Sequence, residues 1–209
     1  MRRFFLFYTA ICFFVSFCCT TPDTAGSGTE TTNGIYGSID TSGLNGCPVT
    51  SLIAALYSTD YRPDSMTGIA DTLDISDDGS FSVTPPDGSR YNLLIMHPDK
   101  YLGALLSRLP PDTTLDPVTL AATGTVVTLY SGGMGATSPG PYQVIIPGTP
   151  FFIQAEAFET VQLPPLPEGM YAITVRQLSS DNNDIVVTDT TVLKTIDPYL
   201  SDTTVLAVP

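Results

Sequence analysis

Short apolar segments that end at proline or glycine are the feature that most constrains this fold. The clearest examples are 79–95 and 158–175. In each, a segment of alternating apolar and polar residues runs into a proline-rich connection and an acid–glycine pair, and a second segment then begins at Tyr91 or Tyr171. Proline cannot extend a β-ladder, and alternation places one face of a strand in a core. Both stretches therefore predict two strands joined by a turn.

The glycines and aromatic residues of these stretches carry further expectations. Gly88 and Gly169 are predicted to take positive φ, which glycine adopts without a steric penalty. The phenylalanines Phe81 and Phe158 are predicted to point into a core. Each tyrosine that opens a return strand is expected to bury its ring and donate its hydroxyl to the turn backbone, as in the tyrosine corner of β-sandwiches.

Other apolar segments predict the remaining strands, which are 34–39, 48–57, 118–130, 142–146 and 203–208. The last of these is expected to complete a sheet in either half of the chain. Turns are predicted at 42–46 and 132–135. The sequence is rich in Thr, Ser, Gly and Pro and poor in Lys, Glu and Arg. This composition disfavours helices, and turn signals about every ten residues are typical of an all-β sandwich or barrel.

Each half resembles a carboxypeptidase regulatory-like domain, which is a transthyretin-like β-sandwich. The resemblance rests on Gly46–Val49, Asp77–Phe81 and Pro167–Val175, although the second half lacks the Asp-Gly turn before its Phe. It implies two tandem transthyretin-like or immunoglobulin-like β-sandwiches, one over 34–115 and a divergent repeat over 116–209. The motif concerns folding, so it implies little about activity.

The first residues predict an export signal. Arg2 and Arg3 precede an uncharged apolar run of 14 residues, Phe4–Phe17. Such a run is shorter than the roughly 20 residues of a membrane-spanning helix and suits a signal peptide. We therefore predict a signal peptide over 1–19, followed by a Thr/Gly/Ser-rich tether over 20–33.

The end of the apolar run resembles a bacterial lipoprotein signal, in which the first mature residue is a lipid-modified cysteine. The resemblance implies Cys19 as the lipidation site, with Cys18 as the second candidate, and it implies attachment to the membrane through that lipid. Since Thr20 and not Asp follows Cys19, it also implies the outer membrane or cell surface. A plain secretory signal, giving a freely secreted protein, and an uncleaved anchor are the alternatives.

Charge excludes several classes of function. The chain has 21 acidic residues, 8 basic residues and one histidine, for a net charge of −13. A nucleic-acid partner is not expected, because binding phosphates requires a basic surface. A metal site built on clustered histidines is excluded by the single histidine. No cofactor is expected either, since the chain contains no P-loop or dinucleotide fingerprint.

The remaining candidates for chemistry have simpler interpretations. His97 is expected in a loop after a strand that ends at Met96, and Cys47 is expected to be a small buried residue. The acidic segments 74–80 and 181–184 are expected to be turns and not calcium sites. Similarity to collagen-adhesin B-type domains makes Lys194 the better of two candidates for a Lys–Asn isopeptide bond, the other being Lys100.

The sequence therefore predicts a non-catalytic, exported interaction or spacer module of the bacterial envelope, with an unidentified protein or glycan as partner. Two other functions stay open. One is carbohydrate binding through exposed Tyr and Phe rings. The other is a hydrolase whose carboxylates or serine come from distant parts of the chain, which requires a concave pocket with at least two convergent ionisable groups.

Overall fold

A computed structural model describes residues 34–44, 46–68, 70–130, 140–181, 184–199 and 203–208. All of them belong to one unit, residues 32–209. The predicted signal peptide, both candidate lipidation cysteines, the tether and the turn at 132–135 lie outside the described residues.

The described part is almost entirely β-structure. Its strands are β1 (Ile35–Ser38), β2 (Ile53–Ser58), β3 (Ala70–Leu73), β4 (Ser80–Val83), β5 (Tyr91–His97), β6 (Leu102–Leu109), β7 (Thr113–Thr114), β8 (Ala121–Ala122), β9 (Thr125–Tyr130), β10 (Tyr142–Ile145), β11 (Phe152–Ala155), β12 (Gly169–Asp181), β13 (Asp184–Ile196) and β14 (Thr203–Val208). Two short 3-10 helices, Thr41–Leu44 and Val49–Ser51, complete the elements. The all-β fold class is confirmed.

Four sheets arrange these strands. Strands β4-β1-β7 form a three-stranded sheet and β3-β2-β5-β6-β8 a five-stranded sheet. Strands β11-β10-β12-β13 form a four-stranded sheet, and β14 pairs with β9 in parallel. The predicted strand 203–208 therefore completes a sheet in the second half.

Two hydrophobic cores lie between these sheets. The first core holds residues of the three-stranded and five-stranded sheets, including Ile35, Leu56, Phe81, Leu93 and Ile95. The second core holds residues of the four-stranded and two-stranded sheets, including Val126, Val144, Ile173, Val175 and Leu206. Strand alternation selects these residues, because every second side chain faces the same side of a sheet.

Strand β5, at the centre of the five-stranded sheet, is buried on both faces and joins the two halves. On β5, Leu93 and Ile95 belong to the first core, whereas Leu94 between them belongs to the second. This explains why β5 is a nearly continuous apolar run, as is usual for strands covered on both sides. Along the chain, Leu120 is the last buried residue of the first core, and Val126, the next buried apolar residue, belongs to the second. The predicted domain boundary between residues 115 and 116 stays a prediction.

Three predicted strands need correction. Within 48–57, Val49–Ser51 is a 3-10 helix and the strand begins only at Ile53. The predicted strand 118–130 is interrupted after Ala122 and becomes β8 and β9.

The third correction concerns Phe158, which is not inward: it is 65 % exposed at φ +65°. Glu159 closes a tight turn there, because its amide donates to the carbonyl of Glu156 and its carboxylate accepts the amide of Glu156.

The two turns before Tyr91 and Tyr171 differ from each other. Gly169 has φ +153°, as predicted, but Gly88 is not among the glycines with positive φ, so that prediction is wrong. The carboxylate of Asp87 accepts the amide of Ser89, and this side-chain turn replaces the left-handed residue.

Candidate interaction surface

A buried asparagine connects the two halves at the centre of the molecule. The Asn92 side chain is on β5 and only 8 % of the residue is exposed. Its Nδ2 donates to the carbonyl of Gly148 at 2.8 Å, and its Oδ1 accepts the amide of Arg108 at 2.9 Å. The amide of Gly148 donates in turn to the carbonyl of Tyr61 at 2.8 Å. Because a buried amide must be hydrogen-bonded, this arrangement fixes the halves in one relative position.

An ion-pair network makes a second connection. The carboxylate of Asp64, in the loop after β2, forms salt bridges with Arg176 of β12 at 2.7 Å and with Arg62 at 3.1 Å. Arg176 also binds Asp189 of β13, through two hydrogen bonds of 2.9 and 3.0 Å. The hydrogen bond from Arg62, with the charges of both arginines, holds the pKa of Asp64 below its usual value. The loop of the first half is thereby attached to the outer face of the four-stranded sheet.

The edge of β6 lies open beside these connections. Strand β8 pairs with β6 only at Leu102 and Gly103. No described strand pairs with the same edge from Ala104 to Leu109, because β6 has only β5 and β8 as neighbours. Two adjoining recesses of about 540 and 560 Å³ follow this open edge and meet at Leu105. We call the two recesses together the β6 groove.

The walls of the β6 groove come from both halves. Residues 115–119 form one wall, and residues 168–172 with Leu193 form the other. Met170 and Leu193 lie at the rim and are 72 % and 67 % exposed. Large apolar side chains that remain exposed beside a recess are typical of surfaces that bind another molecule.

The ends of the β6 groove carry opposite charges. Arg108 lies at the end near Asn92, and its guanidinium makes no ion pair among the described residues. Glu168 lies at the end near Gly103, because a Cβ on Gly103 would lie 3.0 Å from the neighbouring Pro167, and Asp116 lines the same recess. The bulge at Arg108, where φ is +61°, places this side chain at the open end of the strand.

A separate cleft of about 760 Å³ lies between the edge strands β3 and β4. Its lining is mostly polar and includes Tyr36, Asp71, Asp74, Ser80 and Ser82. Asp71 and Asp74 both line this cleft, and a concave pocket with two ionisable groups is what the hydrolase hypothesis requires first. The Asp71 carboxylate accepts the amide of Thr72.

The loop position predicted for His97 is wrong. His97 is the last residue of β5, pairs with Leu102 and is 3 % exposed. Alternation along β5 places it on the same face as Leu93 and Ile95. Its Nδ1 has no hydrogen-bond partner in the described part of the chain.

The other candidate residues have the following positions. Cys47 is a free, half-buried thiol against the first core. Gly79 has φ +85° in the turn that ends the acidic segment 74–80, and its amide donates to the carbonyl of Ser76. That turn prediction is confirmed. The tip of 181–184, residues 182–183, lies outside the described residues.

Lys194 lies within β13 opposite Tyr171, and its cross-link stays a prediction.

The described residues contain no group of three or more His, Cys, Asp or Glu side chains placed to hold a metal ion. Within the same residues, no helix is long and apolar enough to cross a membrane.

Sequence reasoning missed β6 and the groove beside it. The apolar run 102–109 was a signal for the strand, but nothing in its sequence shows that β8 covers only two of its residues. Strand β8 is short because residues 115–119, which precede it, lie beside β1 and not beside β6. The amide of Val118, for example, donates to the carbonyl of Ser38.

No protein-family model matches the sequence, and no curated protein matches it significantly. Among solved structures, a minor pilin of the Gram-positive pathogen Streptococcus agalactiae is 12 % identical, with a TM-score of 0.36 over 84 % of this chain and 94 % of that chain. A candidate adhesin of Bacteroides ovatus is 9 % identical, with a TM-score of 0.30 over 83 % and 86 % of the two chains. At these values the similarity assigns neither family nor function, and membership of the carboxypeptidase regulatory-like family stays a prediction.

Proposed function

We propose that this protein is a non-catalytic binding module of the bacterial cell envelope. Residues 1–19 export it, and a lipid on Cys19, or on Cys18, attaches it to the outer membrane or cell surface. The observation that carries the binding role is the exposed apolar pair Met170 and Leu193 at the rim of the β6 groove. Apolar surface of this kind gains free energy when another molecule covers it.

The connection between the two halves supports this role. The shared five-stranded sheet, Asn92 and the Arg176 network hold both walls of the groove in place before any partner arrives. A surface that is already ordered loses less conformational entropy on binding. The halves therefore act as one rigid support.

A protein partner fits the exposed residues better than a glycan. Sugar binding by stacking needs several aromatic rings on one face. Among the described residues the exposed aromatic side chains are Tyr36, Tyr101, Phe158 and Tyr199, and no ring contact joins any two of them. The rim of the β6 groove is aliphatic instead.

Lipid attachment is tested by the intact mass of the protein recovered from its native host in the detergent phase. We expect a chain that begins at Cys19 or Cys18 and carries diacylglycerol and an acyl group. The double variant Cys18→Ala/Cys19→Ala should abolish this mass, whereas Cys12→Ala, in the predicted signal, should not. An unlipidated chain in the aqueous phase would contradict the anchor and favour free secretion.

The binding role is tested by placing a photo-cross-linking residue at position 193 in the native host. We expect one defined cross-linked species there. The matched control is position 205 on β14, because Val205 is also exposed and lines neither recess of the groove. Equal labelling at 193 and 205 would contradict a specific surface.

The enzymatic alternative is tested in the polar cleft. Hydrolysis by the purified protein that is lost in Asp71→Asn or Asp74→Asn would overturn the non-catalytic proposal. We expect no such activity.

A further inference from the structure

We propose that the β6 groove binds a single extended segment of another protein, which pairs with β6 in the position that β8 leaves open. This inference rests on the proposed binding function and names its partner class. The segment would run antiparallel to β6, in the direction of β8. Binding through a sheet edge combines backbone hydrogen bonds with pockets for alternate side chains.

The backbone of β6 offers the required hydrogen-bonding groups. The carbonyl of Tyr101 accepts the amide of Thr123 on the outer edge at 2.8 Å. Since alternate residues of an antiparallel strand direct their amide groups to the same edge, Leu105 and Ser107 point theirs toward the groove. Among the described strands none pairs with them there. An incoming strand would satisfy these groups, as β8 does for Gly103.

The shape of the groove selects a slender partner. Its open edge lies between two walls, residues 115–119 and residues 168–172. The edge of a folded sheet brings its own neighbouring strands and would meet these walls, whereas one extended segment would not. This argues for a flexible segment and against edge-to-edge pairing of two copies of this chain.

The side chains and charges define the segment further. Its central residues would be apolar, because they would face Leu105 and Met170 on one side and Leu106 on the other. In the antiparallel direction its N-terminal end lies near Arg108, and its C-terminal end lies near Glu168. The complementary segment therefore carries an acidic residue first, an apolar centre, and a basic residue last.

The test uses the purified full-length protein and a blocked, fluorophore-labelled six-residue peptide, Glu-Val-Val-Val-Leu-Lys. Its control is Lys-Val-Val-Val-Leu-Glu, which has the same composition with the charged ends exchanged. We expect saturable binding of the first peptide by fluorescence anisotropy. The exchanged peptide should bind about 3- to 10-fold more weakly, as two partly exposed ion pairs allow.

Protein variants separate charge at the groove from net charge. Arg108→Glu should abolish the preference between the two peptides, because each peptide then meets one opposite and one like charge in the groove. The Arg108 guanidinium makes no ion pair among the described residues, so the exchange removes none. Lys100→Glu is the matched control, because Lys100 is exposed, lies outside the groove and changes the net charge equally. It should leave the preference unchanged.

Two further peptides test strand pairing itself, without relying on any protein variant. Each carries N-methyl groups on alternate amides, one set being the complement of the other. Only one set can face β6, so one peptide should lose binding more than tenfold and the other should retain it.

Several outcomes would overturn the inference. These are no binding of either charged peptide, equal binding of both N-methylated peptides, or binding that appears only after residues 20–33 are removed, which would make the tether the occupant. Self-association that the peptide reverses would make a second copy the occupant. A positive cross-link at position 193 without peptide binding would leave the proposed function standing and remove the strand-pairing mechanism.

Discussion

The two tyrosines that open the return strands are alike in sequence and different in chemistry. Tyr91 donates its hydroxyl to the carboxylate of Asp87, four residues earlier, at 2.8 Å. Tyr171 donates to the carbonyl of Pro167, also four residues earlier and at 2.8 Å. Both rings are buried. The expected bond to the turn backbone is therefore confirmed for Tyr171 and wrong for Tyr91, where a side chain takes the place of the carbonyl.

This difference shows that one sequence pattern can close a turn in two ways. In the first half, the Asp87 carboxylate accepts both the amide of Ser89 and the hydroxyl of Tyr91 at an exposed position. In the second half, Glu168 stands in the place of the aspartate, and Gly169 at φ +153° redirects the backbone so that a buried carbonyl accepts the hydroxyl. The first turn depends on a titratable group and the second does not.

The largest effect on stability is expected from replacing a turn glycine by alanine. Gly169→Ala should lower the free energy of unfolding by roughly 2 kcal/mol, because a side chain is strained at this φ whatever space surrounds it. Gly88→Ala should change it by less than about 0.5 kcal/mol, since no atom lies within 4 Å of the added Cβ. Urea unfolding followed by circular dichroism measures both. Equal losses would show that the two turns are alike after all.

A smaller effect on stability is expected from removing the hydroxyls of the two tyrosines. Tyr171→Phe should lower the free energy of unfolding by roughly 1.5 kcal/mol, because the buried carbonyl of Pro167 loses its partner. Tyr91→Phe should lower it less, because water replaces the hydroxyl at the exposed Asp87. Each Phe variant keeps the ring, so the pair compares hydroxyls alone. A larger loss of unfolding free energy in Tyr91→Phe than in Tyr171→Phe would contradict this ranking of the two hydrogen bonds.

The smallest expected effect is that of pH on the stability of the first turn. The amide of Ser89 and the hydroxyl of Tyr91 hold the pKa of Asp87 below its ordinary value of 3.8. A lowered folded pKa adds stability that is complete above the ordinary value and is lost as pH falls through the folded pKa. The difference between wild type and Tyr91→Phe should therefore shrink between pH 7 and about pH 2.5, whereas the difference for Tyr171→Phe should not.

Asp87→Asn is the control for this pH effect, because it keeps an acceptor oxygen and removes the titration. In that background the Tyr91→Phe difference should be the same at both pH values. At alkaline pH the direction is opposite, because stability from Tyr91 is lost as pH rises. Burial, aided by Asp87, raises the pKa of Tyr91 to about 12 from 10.0, so its contribution is complete below pH 10 and is lost as pH rises toward 12.

Local pattern was sufficient for much of the fold. The alternation in 171–175 predicted a strand with one buried face, and Tyr171, Ile173 and Val175 do lie in the second core. Prediction failed where a tertiary partner replaced the local rule. Phe158 alternates correctly in sequence, but the Glu156–Glu159 turn takes its segment out of the sheet. His97 precedes a proline, as loop residues often do, and yet the shared sheet buries it.

The candidate site was less predictable than the fold. The apolar run 102–109 contains the residues of the groove edge, but its function depends on the segment 115–119, which turns away toward β1 after β7. Met170 and Leu193 are separated in the chain and become neighbours through the pairing of β12 with β13. No spacing rule within a single strand connects them.

By itself, the sequence determined the all-β class, most strand positions and the turn before Tyr171, because alternation and backbone restrictions act over a few residues. Tertiary structure alone decided that the five-stranded sheet is shared by two cores, that Asn92 connects the halves, and that β6 has an open edge. Those features arise from contacts between segments that are far apart in the chain. Their free energies depend on which surfaces meet, and a local pattern carries no information about that choice.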